Sequence, residues 1–218
     1  MSQSDSSKKG IAFTVAALVG VAACIFGGFL ASQWFGGNSS GKASYDFVGT
    51  VLNNSRPLSD FKLAATNDKY FDNKSLKGHW SMVFFGFTHC PVMCPTAMHE
   101  LATTYSILEK NKVKSLPQVI MVSVDPERDT LKRMHEYVTG FNKSFIGAIG
   151  EDSRVRALSR EMGIAYEKIA SRDKKSENYD FQHSGAVIVL DPSGNIKAFF
   201  NWPHKPKDMA DDYMHLVS

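Results

Sequence analysis

Two of the three cysteines in the chain stand four positions apart, each followed by a proline, in Gly86-Phe87-Thr88-His89-Cys90-Pro91-Val92-Met93-Cys94-Pro95. If both lie at a helix start, their sulfurs project from the same side, one turn apart. Pro95 fits the first helical turn, where its missing N–H costs nothing. A helix amino terminus favours the thiolate and lowers the thiol pKa, so Cys90 and Cys94 suit nucleophilic redox chemistry or capture of a soft metal. A structural disulfide or two inert buried thiols would use the same residues, but neither explains a paired, proline-flanked placement at a strand-to-helix turn. A thioredoxin-type oxidoreductase normally separates its cysteines by two residues, and a third changes the geometry and poise of the disulfide. Two thiolates alone hold a metal only in two-coordinate fashion, so a third ligand would make the site specific.

Seven histidines are candidates for that ligand. His89 adjoins Cys90, but neighbours on an extended segment point apart. His99 is rotated off the Met98 stripe and reads as solvated, His79, His135 and His215 sit in ordinary surface composition, and His204 reads as a loop residue. His183 differs: it follows a polar, charged stretch from Ser171 to Asn178 that reads as a mobile loop, and it precedes a buried strand. Asp125, in Asp125-Pro126-Glu127-Arg128-Asp129-Thr130, stands where a parallel strand ends, the edge at which α/β ligand sites gather. Its blander reading is a turn with a helix cap. Its functional reading is a hydrogen bond behind the ligands that orients one of them.

The elements that must position these residues alternate apolar runs with helical segments. Met82–Phe87 reads as a buried strand leading into the cysteine motif, Met98, Leu101, Tyr105 and Leu108 share one helical face, and Val119–Val122 is a second apolar strand. Strand, helix, strand in that order implies a parallel crossover. Asp129 or Thr130 can cap a helix running to about Val138, and Asp152 can cap another that Gly163 ends. Ala186–Leu190 and Lys197–Phe200 flank a turn and read as a hairpin, and a last helix runs from about Lys205 to Leu216. The sum is an α/β protein with a thioredoxin-like fold, a central mixed sheet flanked by helices.

The first 35 residues are written differently. From Ile11 to Ser32 there is no charge, and roughly 22 residues at 1.5 Å rise span about 33 Å, enough for a transmembrane helix. Lys8 and Lys9 precede the run, which places residues 1–10 in the cytoplasm and the domain outside it. Residues 11–35 thus read as a transmembrane anchor, 36–44 as a flexible Gly/Ser-rich linker of about 15 Å reach, and 45–218 as an exported domain. Val21-Ala22-Ala23-Cys24 also resembles a lipoprotein box, which would make Cys24 a lipidated terminus, and a cleaved signal peptide is the third option. The localisation expected is the inner membrane, single-pass, with the main domain in the periplasm. The formal charge of +3 is spread without Lys/Arg clusters, which sets nucleic acid aside as a partner.

The motifs GFTHCPVMCP, SVDPERDT and YDFQHSGAVIVLDPSG, in that order and spacing, resemble the Sco (SenC) family from about Pro57 to the final helix. The resemblance implies a thioredoxin-like copper protein that assists assembly of the dinuclear copper site of cytochrome c oxidase, with that oxidase subunit as partner. It implies Cys90, Cys94 and His183 as copper ligands. Val92 and Gln182 depart from the family, which usually has Asp at both positions; neither is a ligand position, but both remove negative charge beside the site. Two thiolates and an imidazole suit Cu(I), and the same set accepts Cu(II) with a further ligand; zinc could also occupy it. Met93 and Met98 are soft donors that read as loop and core. A second function uses only the cysteines: a thiol-disulfide oxidoreductase that keeps a partner's cysteines reduced. A third, peroxidase, rests on Thr88 shortly before Cys90. Copper delivery, thiol reduction and copper sensing stay open at this level, as do enzymatic turnover and other periplasmic copper or thiol partners.

Overall fold

In the computed structural model, residues 45–170 and 179–218 are described; the anchor expected over 11–35, the linker over 36–44 and the loop over 171–178 lie outside them. Among the described residues no helix is long and apolar enough to cross a membrane.

The centre of the domain is made by strands β4 (Ser81–Gly86), β5 (Gln118–Ser123) and β9 (Val187–Leu190), whose residues are almost all buried. Unbroken apolar runs of this kind cover both faces of a strand and place it in the middle of a sheet. Around them, β1 (Thr50–Arg56), β10 (Ile196–Phe200), β6 (Ile146–Ile149), β2 (Lys62–Ala65) and β3 (Tyr70–Asp72) complete eight strands in the order β1-β10-β9-β4-β5-β6-β2-β3. The strands β4, β5 and β6 run parallel, whereas β9 and β10 form the expected antiparallel hairpin. A separate ribbon pairs β7 (Tyr166–Ala170) with β8 (Tyr179–His183).

Five helices complete the described part: α1 (Asn73–Leu76), α2 (Met93–Lys110), α3 (Leu131–Phe141), α4 (Asp152–Glu161) and α5 (Pro206–Val217). Helix α2 is the crossover between β4 and β5, and it buries Cys94, Ala97, Met98, Leu101, Thr104 and Leu108, a stripe at helical spacing that faces the core. It packs against α3 and α5. Thr130 caps α3 by accepting from the Arg133 N–H at 3.2 Å, which leaves Asp129 for another purpose. Helix α4 departs by one residue from expectation: Glu151 holds the cap position without a side-chain bond, and Asp152 lies in the first turn. There it accepts from Arg156 and Tyr166, so it favours the helix dipole rather than capping it.

Helix α5 also ties down the start of the domain. Its buried Asp212 accepts from the Tyr45 hydroxyl at 2.8 Å and the Gly49 N–H at 2.7 Å. Burial and that acceptor push the Tyr45 phenol up to about 12.

Candidate functional site

The parallel register pairs Gly86 with Ser123, so the chain leaving β4 runs beside the chain leaving β5. The Val124 N–H donates to the Gly86 carbonyl at 2.9 Å, and the Cys90 N–H closes a turn on the Phe87 carbonyl at 3.3 Å. Cys90 is half-buried ahead of α2; Cys94 is fully buried in its first turn. The first N–H groups of a helix lack intrahelical acceptors, and Val92 at the cap position offers no side-chain oxygen. The sulfur of Cys90 serves instead, accepting from the Cys94 N–H at 3.3 Å. Gly86 makes room: a Cβ there would stand 3.0 Å from Cys94 Sγ and 2.7 Å from the Phe84 ring.

The Cys94 proton is held against the Cys90 sulfur, and burial adds to that, so its pKa is pushed far up. For Cys94 this reverses the lowering expected from a helix start: partner and desolvation outweigh the dipole. A proton so placed leaves when another electrophile takes its position between the sulfurs, which is what a soft cation does.

Asp129 anchors the motif from below. It is 2 % exposed, and its carboxylate accepts from the Thr88 N–H at 3.2 Å, the Thr88 hydroxyl at 2.5 Å and the Ser123 hydroxyl at 2.6 Å. Arg133 Nε in turn donates to the Thr88 hydroxyl at 2.8 Å. His89 is exposed, and its Nδ1 lies 3.8 Å from Asp129. Sequence reasoning treated Asp129 only as a cap; a Thr next to it that could cap equally well was the signal that the Asp was available. Gly86, at the end of a wholly buried strand, was equally missed.

Asp125, 1 % exposed, looks the other way. It accepts from the Tyr179 hydroxyl at 2.7 Å and from Arg128 Nε, so it holds the ribbon rather than the cysteine loop. Burial, then its hydrogen bonds to Asp125 and Glu127, push the Tyr179 phenol up. Phe181 in β8 packs edge-on against Phe87, with centroids 5.3 Å apart. His183 ends β8, its backbone in register with Tyr166; its side chain lies outside the described part. Two residues on, Gly185 adopts φ +67, and a Cβ there would meet Met93 Sδ at 3.0 Å. The backbone just past His183 therefore rests on the first residue of α2.

The remaining candidates separate cleanly. Met98 is core, as expected, and His99 is exposed. His204 is not the simple loop residue expected: it is buried, with Nδ1 3.1 Å from Glu100, and burial depresses its pKa. Among the described residues no three His, Cys, Asp or Glu side chains group around a common point fit for a metal ion.

The profile of the SCO1/SenC family matches residues 51–218. The chain belongs to the SCO1/SenC family. This SCO1/SenC chain is 32 % identical over 152 residues to an SCO2-like protein of Rickettsia conorii, covering 70 % of the chain and 73 % of the relative. Its fold matches Arabidopsis thaliana ScoI, solved with copper bound, at TM-score 0.66 and 30 % identity over 72 % of this chain and 95 % of that one. Bradyrhizobium japonicum ScoI, also solved with copper bound, gives TM-score 0.64 and 28 % identity over 74 % and 99 %. The thioredoxin-type architecture of a mixed sheet flanked by helices is the family's own.

Proposed function

We propose that this SCO1/SenC chain binds one copper ion as cargo at Cys90, Cys94 and His183, and delivers it to, or prepares, the dinuclear copper site of cytochrome c oxidase. The observation that carries this reading is the close pairing of Cys90 and Cys94 at the start of α2, with the backbone beyond His183 seated on Met93 of the same turn. Support also comes from the relatives solved with copper bound and from the description of the Sco family as cytochrome c oxidase assembly proteins. The donor set fits the ion: two thiolates and an imidazole satisfy Cu(I) and accept Cu(II) with one further ligand. Residues 11–35 tether the domain to the inner membrane on its periplasmic side, as the uncharged run and the preceding lysines suggest.

The residues divide the work. Cys90 and Cys94 supply the soft donors, and binding displaces the proton that Cys94 keeps in the metal-free state. Asp129 holds Thr88, and through it the turn that presents Cys90. Val92, between the two cysteines and 68 % exposed, offers a partner an uncharged lip. Full-length chain purified in detergent is expected to bind about one copper, with His183→Ala removing the imidazole contribution to the Cu(II) spectrum; an unchanged spectrum and affinity in that variant would end the third-ligand assignment.

The second reading is a thiol-disulfide reductase for the same partner. It is favoured by the thiol of Cys94 lying in hydrogen-bond reach of the Cys90 sulfur, the proximity an internal disulfide needs. Cys90 and Cys94 would become that disulfide while two electrons and two protons pass to the partner's disulfide. His183→Ala spares this activity and cripples copper transfer, which separates the two.

A further inference from the structure

Tyr179 opens β8 four residues before His183 and is gripped on several sides by the connection between β5 and α3. Arg128 Nη1 donates to its carbonyl at 3.1 Å, and the guanidinium carbon stands 3.8 Å from its ring centroid. Its hydroxyl donates to Asp125 at 2.7 Å and reaches Glu127 at 3.1 Å. Lys168 Nζ lies 3.7 Å from the same centroid and 2.8 Å from Glu127. The Lys168–Glu127 pair is exposed and screened, so it contributes little. Arg128 and Asp125 form the sheltered part, with side-chain exposures of 22 % and 1 %. A planar guanidinium that places Nε on a carboxylate, Nη1 on a carbonyl and its face on a phenol ring uses geometry an ammonium lacks. Its buried Nη2 has no hydrogen-bond partner among the described residues, so the orientation is set by Asp125 and Tyr179 and not by satisfying every donor.

Two further contacts follow along the same strand: Phe181 on Phe87 and, past the strand, Gly185 on Met93. His183 thus lies between a grip four residues upstream and a backbone contact two residues downstream. We propose that Arg128, Asp125 and Tyr179 form a latch that keeps β8 docked and in register, and so presets the backbone of His183 for metal capture. Arg128 and Asp125 are positioning residues that act through Tyr179. With the strand already ordered, capture does not have to supply the ordering free energy, and affinity for an ion that needs the third donor rises. The latch deepens the copper reading above and rests on His183 being a ligand.

The test uses full-length chain in detergent and two measurements. In metal-free protein, Arg128→Ala is expected to speed amide exchange of the β7–β8 ribbon by about tenfold while β4 and β9 keep theirs. Arg128→Lys, which keeps charge but loses the fork, is expected to behave like Arg128→Ala. Unchanged ribbon exchange, equal acceleration in β4 and β9, or full recovery in Arg128→Lys would each overturn the latch. In the second measurement, Arg128→Ala weakens Cu(II) binding by about tenfold in the parent chain and not in a His183→Ala background; equal weakening in both backgrounds overturns action through His183. If His183→Ala alone leaves Cu(II) affinity unchanged, the third-ligand reading falls and the latch's part in capture with it, while the exchange result still decides whether β8 is latched.

Discussion

Asp129 takes both hydrogen-bond donors of Thr88, the N–H at 3.2 Å and the hydroxyl at 2.5 Å, across 41 residues of chain. The parallel pairing of β4 with β5 makes this possible, because it sets the two strand exits side by side. A third donor, the hydroxyl of Ser123, completes the carboxylate's surroundings. Asp129→Ala leaves three donors facing a buried void, and a loss of about 2–4 kcal/mol is expected in urea unfolding. Asp129→Asn, which retains an acceptor but not the charge, is expected to lose less; equal losses would mean that the neutral acceptor rescues nothing and that the charge carries the whole effect.

Gly86→Ala places a methyl group 3.0 Å from Cys94 Sγ, 2.7 Å from the Phe84 ring and 3.1 Å from Met121 Cε. Overpacking of this kind costs about 1–3 kcal/mol. It also displaces the Cys94 sulfur, so copper affinity is expected to fall by more than in a control overpacked elsewhere in the core. Equal affinity for the two variants would show that the sulfur's position tolerates the shift.

Copper binding is expected to weaken in acid. Cys94 holds its proton throughout the neutral range because the Cys90 sulfur and burial raise its pKa, so capture must release that proton. Each unit of falling pH then lowers apparent affinity by about tenfold for each proton displaced. Calorimetry in buffers of different ionisation enthalpy counts the protons, and a count of zero at pH 7 contradicts the assignment.

His204 supplies a separate pH dependence, of the fold and not of the site. Burial lowers its pKa below the ordinary 6.5, against the pull of Glu100. As pH drops past that ordinary value, the unfolded chain takes up a proton that the folded chain resists. Its contribution to stability is therefore complete above pH 6.5 and declines below it, by up to about 1.4 kcal/mol per unit until the folded pKa is reached. His204→Gln is expected to flatten that part of the pH profile of urea unfolding; an identical slope in the variant would remove His204 as its source.

The parts of the fold that could be read directly were those in which one strand or helix carries its own pattern. The strands β4, β5, β9 and β10 are apolar runs bounded by turn residues, and α2 shows its buried stripe at helical spacing. β1 could not be read, because TVLNNSR has neither alternation nor an apolar run and exists by pairing with β10. The β7–β8 ribbon hid for the same reason: YEKIA and YDFQH are mixed sequences whose order depends on Phe181 meeting Phe87 and Tyr179 meeting Arg128. At the site, the cysteine pair announced itself by spacing, whereas Asp129 read only as a helix cap and Asp125 as a turn residue or a hydrogen bond behind the ligands. Their separate uses come from which strand exit each one faces, and that is a property of the sheet.

The two sulfurs differ in how far solvent can approach them: Cys90 is partly open and Cys94 is sealed beneath Gly86 and the core. On the proposed copper reading, an incoming donor would meet the outer sulfur before the inner one. Exchange at this pair would then have a direction, one bond at a time, with the concealed thiol as the last to let go.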